Sequence, residues 1–433
     1  MEGNSIQNYI KELLENTPSE WLNLTTHRLD IYDESLAKSQ FLAQFEVLFS
    51  KKNTDTSALQ KLPTAYDYIR LGHPLSCVLE WSIAKLNNLK SENVISFSSQ
   101  TIPVLAILRT NLLAHKKTQI LYTGTLPSFF DADVLQRVYG YQFELKQIEN
   151  TTAIAQFDGS TVFIAQQNEL SLFELHKNCD FVIHNYGELG SVLAINGAQN
   201  NVYISDIQHV RRRETIAMTP ANTLTALKRL IGHAASETKT TDYKANKTLV
   251  LETIQKITGT NTTPLVGSSG LSIQYAIMMG LVHDALDTHP GKAIKIIVPP
   301  NCYGGTNDQA RRVAACLENV EVVDLLVDGA HDMVQSIELV LHAIAKEDAV
   351  SFIIAEIPTN PRVEVPDLLK LKAALSATRK TESGKTAIDP VFILDQTFCP
   401  NVLFLGEDEI LSAVRTISYV SGSKFPSGGK CTA

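Results

Sequence analysis

The sequence has no uninterrupted apolar run near the roughly 18 residues that a membrane-spanning helix needs. It is poor in cysteine. Cys77, Cys179, Cys302, Cys316, Cys399 and Cys431 are scattered with no CxxC pair, so neither a disulfide framework nor a zinc site is implied. Positive charge is also short: 38 Lys and Arg against 46 Asp and Glu leave a net charge of −8. That balance suits neither nucleic acid nor an anionic membrane as a partner. The opening Met1-Glu2-Gly3-Asn4-Ser5 lacks the basic-then-apolar order of a secretory signal. These absences predict a cytoplasmic protein with no nucleic acid, membrane or metal among its partners. What is present is ordinary: 44% hydrophobic and 19% charged residues over a 433-residue chain. Such a composition argues against a disordered or fibrous chain, and the length suits roughly two to three domains.

Residues 1–60 predict a helical N-terminal segment, with Ile6, Tyr9, Ile10, Leu13 and Leu14 at helical spacing. Beyond about Leu62 short apolar runs alternate with helical stretches. Strands are expected at Asn93 to Phe97, Thr118 to Tyr122, Ala293 to Val298, Val350 to Ile357, Val391 to Leu394 and Thr416 to Val420. Helices are expected over Leu271 to Leu286 and after an Asp332 cap. Fully apolar strands alternating with helices imply an α/β fold, a mostly parallel sheet with helices on both faces. Ser376 to Asp389, rich in Ser, Thr and Lys, reads as a surface loop.

Four signals follow one another in the second half, each at a strand end or helix start. Gly267-Ser268-Ser269-Gly270 opens a helix with small residues, which lets backbone N–H groups approach a phosphate. Cys302-Tyr303-Gly304-Gly305-Thr306 sets an aromatic ring beside flexible glycine, where it could stack on a heterocycle. Asp395 ends an apolar strand, and a buried carboxylate there calls for a cationic partner. Ser421-Gly422-Ser423-Lys424 ends another strand and offers an amine suited to a Schiff base. Each also has an ordinary reading: a turn, a loop tyrosine, a capping aspartate, a solvated lysine. Their conjunction matches what a pyridoxal phosphate site requires.

Ser268-Ser269-Gly270-Leu271, Tyr303-Gly304-Gly305-Thr306, Glu356-Ile357-Pro358-Thr359-Asn360-Pro361, Asp395-Gln396-Thr397-Phe398 and Ser421-Gly422-Ser423-Lys424 stand in that order. Over about residues 240–433 the chain resembles the Cys/Met-metabolism pyridoxal-phosphate enzymes, the cystathionine γ-synthase, β-lyase and γ-lyase group of fold type I. The resemblance implies pyridoxal 5'-phosphate as cofactor and an amino-acid substrate. The reaction it implies is elimination or replacement at the β- or γ-carbon of a sulfur amino acid or an O-acylhomoserine, in a homo-oligomer (dimer or tetramer). It gives Lys424 the Schiff base and proton transfer, Asp395 the pyridine nitrogen and Tyr303 the ring face. Gly270, Leu271, Ser269, Ser421 and Ser423 would hold the phosphate, and Asn360 would lie near the ring oxygen and substrate carboxylate. Ser423, Gln396 and Phe425 depart mildly from the family's usual Thr, Asn and Tyr.

The first half echoes the same family. Tyr68-Ile69-Arg70-Leu71-Gly72-His73-Pro74, then Leu79-Glu80, Phe97-Ser98-Ser99-Gln100 and Tyr122-Thr123-Gly124-Thr125, suggest a degenerate copy. Residues 61–215 would form that unit and 216–433 the cofactor-binding one. Gln100 stands where the cradle wants glycine, and no counterpart of Asp395 or Lys424 is evident. By resemblance, Tyr68 and Arg70 would reach the phosphate from within the same chain; the bland reading is a decayed domain kept for packing. His73 reads as a turn residue. The family continues beyond its lysine into a domain that binds the substrate carboxylate, so that small domain is expected to be missing after Lys424. Two rival classes are a serine acyl-enzyme on Ser421-x-x-Lys424, which lacks its partner motifs, and a non-catalytic scaffold. Gly429-Lys430-Cys431 fails as a P-loop.

Overall fold

The computed structural model describes residues 2–23, 34–66, 68, 70–127, 130–166, 173, 175–232, 242–327 and 329–424. Phe425 and the Gly429-Lys430-Cys431 segment lie outside them. The chain divides into two compact units, Met1–Gln136 with Tyr141–Thr240, and Arg137–Gly140 with Thr241–Gly428.

The first unit holds six strands: β1 (Val94–Phe97), β2 (Thr118–Tyr122), β3 (Glu144–Gln147), β4 (Ser160–Gln166), β5 (Phe181–Asn185) and β6 (Ser191–Ile195). They lie in the order β1-β6-β5-β4-β2-β3. All neighbours are parallel except where β6 runs antiparallel to β5 and β1. The reversal between β5 and β6 takes five residues, Tyr186 to Gly190, closed by Tyr186 N–H donating to the Gly190 carbonyl at 2.9 Å. Gly190 has φ +115°, and a Cβ there would stand 2.1 Å from the Phe97 carbonyl oxygen, so only glycine fits. The helices Glu2–Glu15, Glu34–Ser50 and Pro74–Leu86 join through aromatic contacts, with the Phe45 and Trp81 rings 5.1 Å apart near edge-on.

One fully buried carboxylate organises this unit. Glu80 meets Lys38 at 2.6 Å and Arg211 at 2.7 Å, and accepts the Ser96 N–H and hydroxyl at 2.8 Å. Burial alone would raise its pKa, but the two cations outweigh it and hold it down at about 2. His73 is, as expected, a turn residue. Its Nδ1 accepts Ser76 N–H, capping the helix Pro74–Leu86, and its Nε2 lies 2.7 Å from the Met218 carbonyl.

The second unit is a parallel sheet. Its strands β7 (Ile294–Val298), β8 (Val320–Asp324), β9 (Val350–Glu356), β10 (Val391–Asp395) and β11 (Thr416–Tyr419) lie in the order β11-β10-β9-β7-β8. β7, β9 and β10 are buried at every residue, which is why they read as continuous apolar runs. Asp332 caps the helix Met333–Lys346 by accepting Gln335 N–H at 3.0 Å, as the sequence predicts. The fold is α/β with mostly parallel sheets. Among the described residues no helix is long and apolar enough to cross a membrane.

Candidate functional site

The residues singled out in the second half gather at the C-terminal ends of the parallel strands, where open α/β sheets place their ligands. The helix Gly270–Thr288 opens with a capping box: Ser269 Oγ accepts Ser272 N–H at 3.1 Å, and Ser272 Oγ accepts Ser269 N–H at 2.9 Å. Ile273 N–H bonds the Ser269 carbonyl. The preceding two N–H groups, of Gly270 and Leu271, have no acceptor among the described residues, although both residues are buried. A Cβ on Gly270 would lie 2.7 Å from Ser421 Cβ, so glycine lets the turn after β11 close against the helix start.

That turn carries the hydroxyls. Ser421 Oγ and Ser423 Oγ lie 2.9 Å apart, and Ser421 N–H donates to Thr397 Oγ1 at 3.0 Å, tying the turn to the end of β10. Lys424 is half-buried, its N–H directed back to the Ser421 carbonyl. Ser421 lies in a turn after a strand rather than at a helix start, unlike the acyl-enzyme motif.

Asp395, 9% exposed, accepts Thr397 N–H on Oδ1 at 2.9 Å and the Tyr419 hydroxyl on Oδ2 at 2.9 Å. Tyr419 also reaches Gln274 Oε1 at 2.7 Å, which accepts the Thr306 hydroxyl at 3.0 Å. Burial pushes the Asp395 carboxyl above its usual range, against these hydrogen bonds. Directly across in register, at the end of β9, stands Glu356. It is 6% exposed and pushed up to about 7 by burial and by the neighbouring Asp395 charge. Among the described residues no cation is paired with either carboxylate. Two buried acids on adjacent strand ends therefore face each other, held by hydrogen bonds but with no cation paired among the described residues.

Tyr303, half-buried, precedes the helix Gly304–Ala314, and its N–H donates to Glu356 Oε1 at 2.8 Å. Asn360 follows the cis peptide bond Ile357-Pro358 and forms a second one with Pro361, and its N–H donates to Glu356 Oε2 at 3.2 Å. Cys302 and Cys399 are packing thiols. Burial pushes them up to about 12 and about 11, and Cys399 Sγ bonds the Ile357 carbonyl.

Tyr68 and Arg70 belong to the first unit, both 5% exposed, with the guanidinium carbon 4.4 Å above the Tyr68 ring centroid. Sequence reasoning missed Glu356 as a site residue; it stood inside a quoted motif, but only strand register reveals its pairing with Asp395. It also missed Asn185. That residue ends β5 opposite Gln166 of β4, the position that Asp395 and Glu356 hold on β10 and β9. Among the described residues neither side-chain atom of Asn185 has a partner, though it is 1% exposed. At the same end of the sheet Gln100 Nε2 donates to the Gly187 carbonyl at 2.6 Å.

No protein-family model matches the chain, and no curated protein matches it. Among solved structures it is similar in part to serine palmitoyltransferase from S. paucimobilis, at 14% identity over 41% of this chain and 40% of that one, with a TM-score of 0.29. A cystathionine gamma lyase from Micromonospora echinospora aligns at 21% identity over 36% and 33%, TM-score 0.24. A cystathionine gamma synthase from Xanthomonas oryzae pv. oryzae aligns at 14% over 46% and 57%, TM-score 0.29. The chain spans less than two thirds of the length of each.

Proposed function

We propose that the second unit binds pyridoxal 5'-phosphate and belongs to an enzyme of amino-acid metabolism acting at the β- or γ-carbon of a sulfur amino acid or an O-acylhomoserine. The observation that carries this reading is the buried carboxylate Asp395, beside Glu356 at the strand ends, which has no paired cation among the described residues. A protonated pyridine nitrogen is the cation that such a carboxylate lacks. The surroundings fit the rest of the cofactor. The Gly270 and Leu271 N–H groups and the Ser421 and Ser423 hydroxyls form a set of donors around one helix start, as a phosphate needs. When bound, the cofactor supplies an electron sink. Asp395 would hold the ring nitrogen's proton, Tyr303 would lie against the ring, Asn360 would orient the substrate, and Lys424 Nζ would take and return the α-proton. A cytoplasmic homo-oligomer goes with this reading. The first unit takes no part in the chemistry: amides replace both acids, and Gln100 fills its helix start.

Adding pyridoxal phosphate to the purified chain should give a visible absorption band that Lys424→Ala abolishes. Cofactor-saturated protein with no such band would instead be a scaffold. Incubation with cystathionine and O-acylhomoserines then selects between elimination and replacement.

A further inference from the structure

We propose that Glu356 is a positioning residue. It fastens the loop that carries Tyr303 and the loop that carries Asn360 to the end of β9, so that both are set before a ligand arrives. The role assigned to the two loops rests on the functional reading above; the fastening itself rests on geometry. Each carboxylate oxygen accepts one backbone N–H, from Tyr303 at 2.8 Å and Asn360 at 3.2 Å. The two loops leave different strands, β7 and β9, and Glu356 is the side chain that joins them. A strand end needing only to be filled has no use for this group, because a buried carboxylate is costly unless its oxygens are satisfied.

The groups facing Glu356 are acidic or weakly so: Asp395 from β10, Cys302 from the loop after β7, and Tyr419 from β11. Asp395 and burial together bring its titration to about 7 despite two accepted N–H bonds. Protonation turns one acceptor oxygen into a donor, which sets it against a backbone N–H. The fastening is therefore tight above neutrality and slackens below it.

The test uses the full chain without cofactor. In Glu356→Gln the side chain keeps one acceptor and aims an NH2 group at the other N–H. Amide exchange at Tyr303 or Asn360 should accelerate about tenfold, the loss of one hydrogen bond, while Phe352 and Ile354 within β9 keep their protection. Unchanged exchange at both loop amides overturns the proposal. Should the variant lose protection throughout β9, the unsubstituted chain decides. Its Tyr303 and Asn360 amide resonances must then follow one shared titration with a midpoint near neutrality, and independent or absent titrations overturn the proposal. A chain that takes up no pyridoxal phosphate removes the functional reading but leaves this outcome intact.

Discussion

The two units share a strand order and differ in what ends the strands. β3-β2-β4-β5 in the first matches β8-β7-β9-β10 in the second, and in each the adjacent ends of the last two strands are in register. The second unit places Glu356 and Asp395 there, the first Gln166 and Asn185. Replacing both acids by their amides keeps size and polarity while removing every charge. The same strand order therefore carries charged ends in one unit and neutral ends in the other, with Glu356 buried and Gln166 exposed. The first unit holds its buried charge elsewhere, on Glu80, where two cations and two hydrogen bonds satisfy it, and on the pair of Arg109 with Glu214.

The sharpest contrast is between a carboxylate paired with two cations, Glu80, and carboxylates held by hydrogen bonds alone among the described residues, Asp395 and Glu356. Glu80→Gln leaves Lys38 and Arg211 buried without their counter-ion and should destabilise the first unit by roughly 3–5 kcal/mol in denaturant titrations. Because its folded pKa is lowered from 4.5 to about 2, its contribution is full above about pH 4.5 and disappears as pH falls towards about 2. Acid unfolding of the wild type should follow that window, and the variant should not.

Exchanging the strand-end residues probes the comparison itself. Asp395→Asn, which gives the second unit the amide of the first, should lower pyridoxal-phosphate-dependent turnover roughly a hundredfold, about 3 kcal/mol. The converse Asn185→Asp should confer no cofactor binding. It should destabilise the first unit by about 3 kcal/mol once ionised, a penalty that denaturation curves would show growing as pH rises.

Gly270→Ala drives a Cβ into Ser421, and overpacking there should cost about 1–3 kcal/mol of thermal stability. The matching Gln100→Ala in the first unit loses one hydrogen bond, about 1 kcal/mol or less. Arg70→Ala tests cofactor affinity instead of stability. If the first unit lends Arg70 to the cofactor phosphate, affinity should weaken about tenfold, about 1.4 kcal/mol. Unchanged affinity, read by absorbance titration, would mean that the unit serves packing alone.

Legibility in the sequence followed burial. β7, β9 and β10 are covered on both faces, so their apolar runs predict them to within a residue or two. β3, Glu144–Gln147, is exposed throughout and chemically indistinct from a loop. β6 reads like any apolar strand, and nothing in Ser191-Val192-Leu193-Ala194-Ile195 announces that it runs the other way. The site motifs were legible because glycine, serine and lysine at helix starts and strand ends have few alternative uses in that order. Glu356 and Asn185 were not, because their meaning lies in which strand stands beside them.

The five-residue reversal from Tyr186 to Gly190 limits what the first unit can hold at its strand ends. In the second unit β10 is followed by the connection from Gln396 to Arg415, which leads to the parallel strand β11. In the first, the returning backbone passes over the same place, held down by Gln100 and pressed against Phe97 at Gly190. Placing an acid at 185 and a glycine at 100 would therefore leave the reversal across the strand end in place. Opening that strand end would take a rerouted chain, which point mutation does not supply.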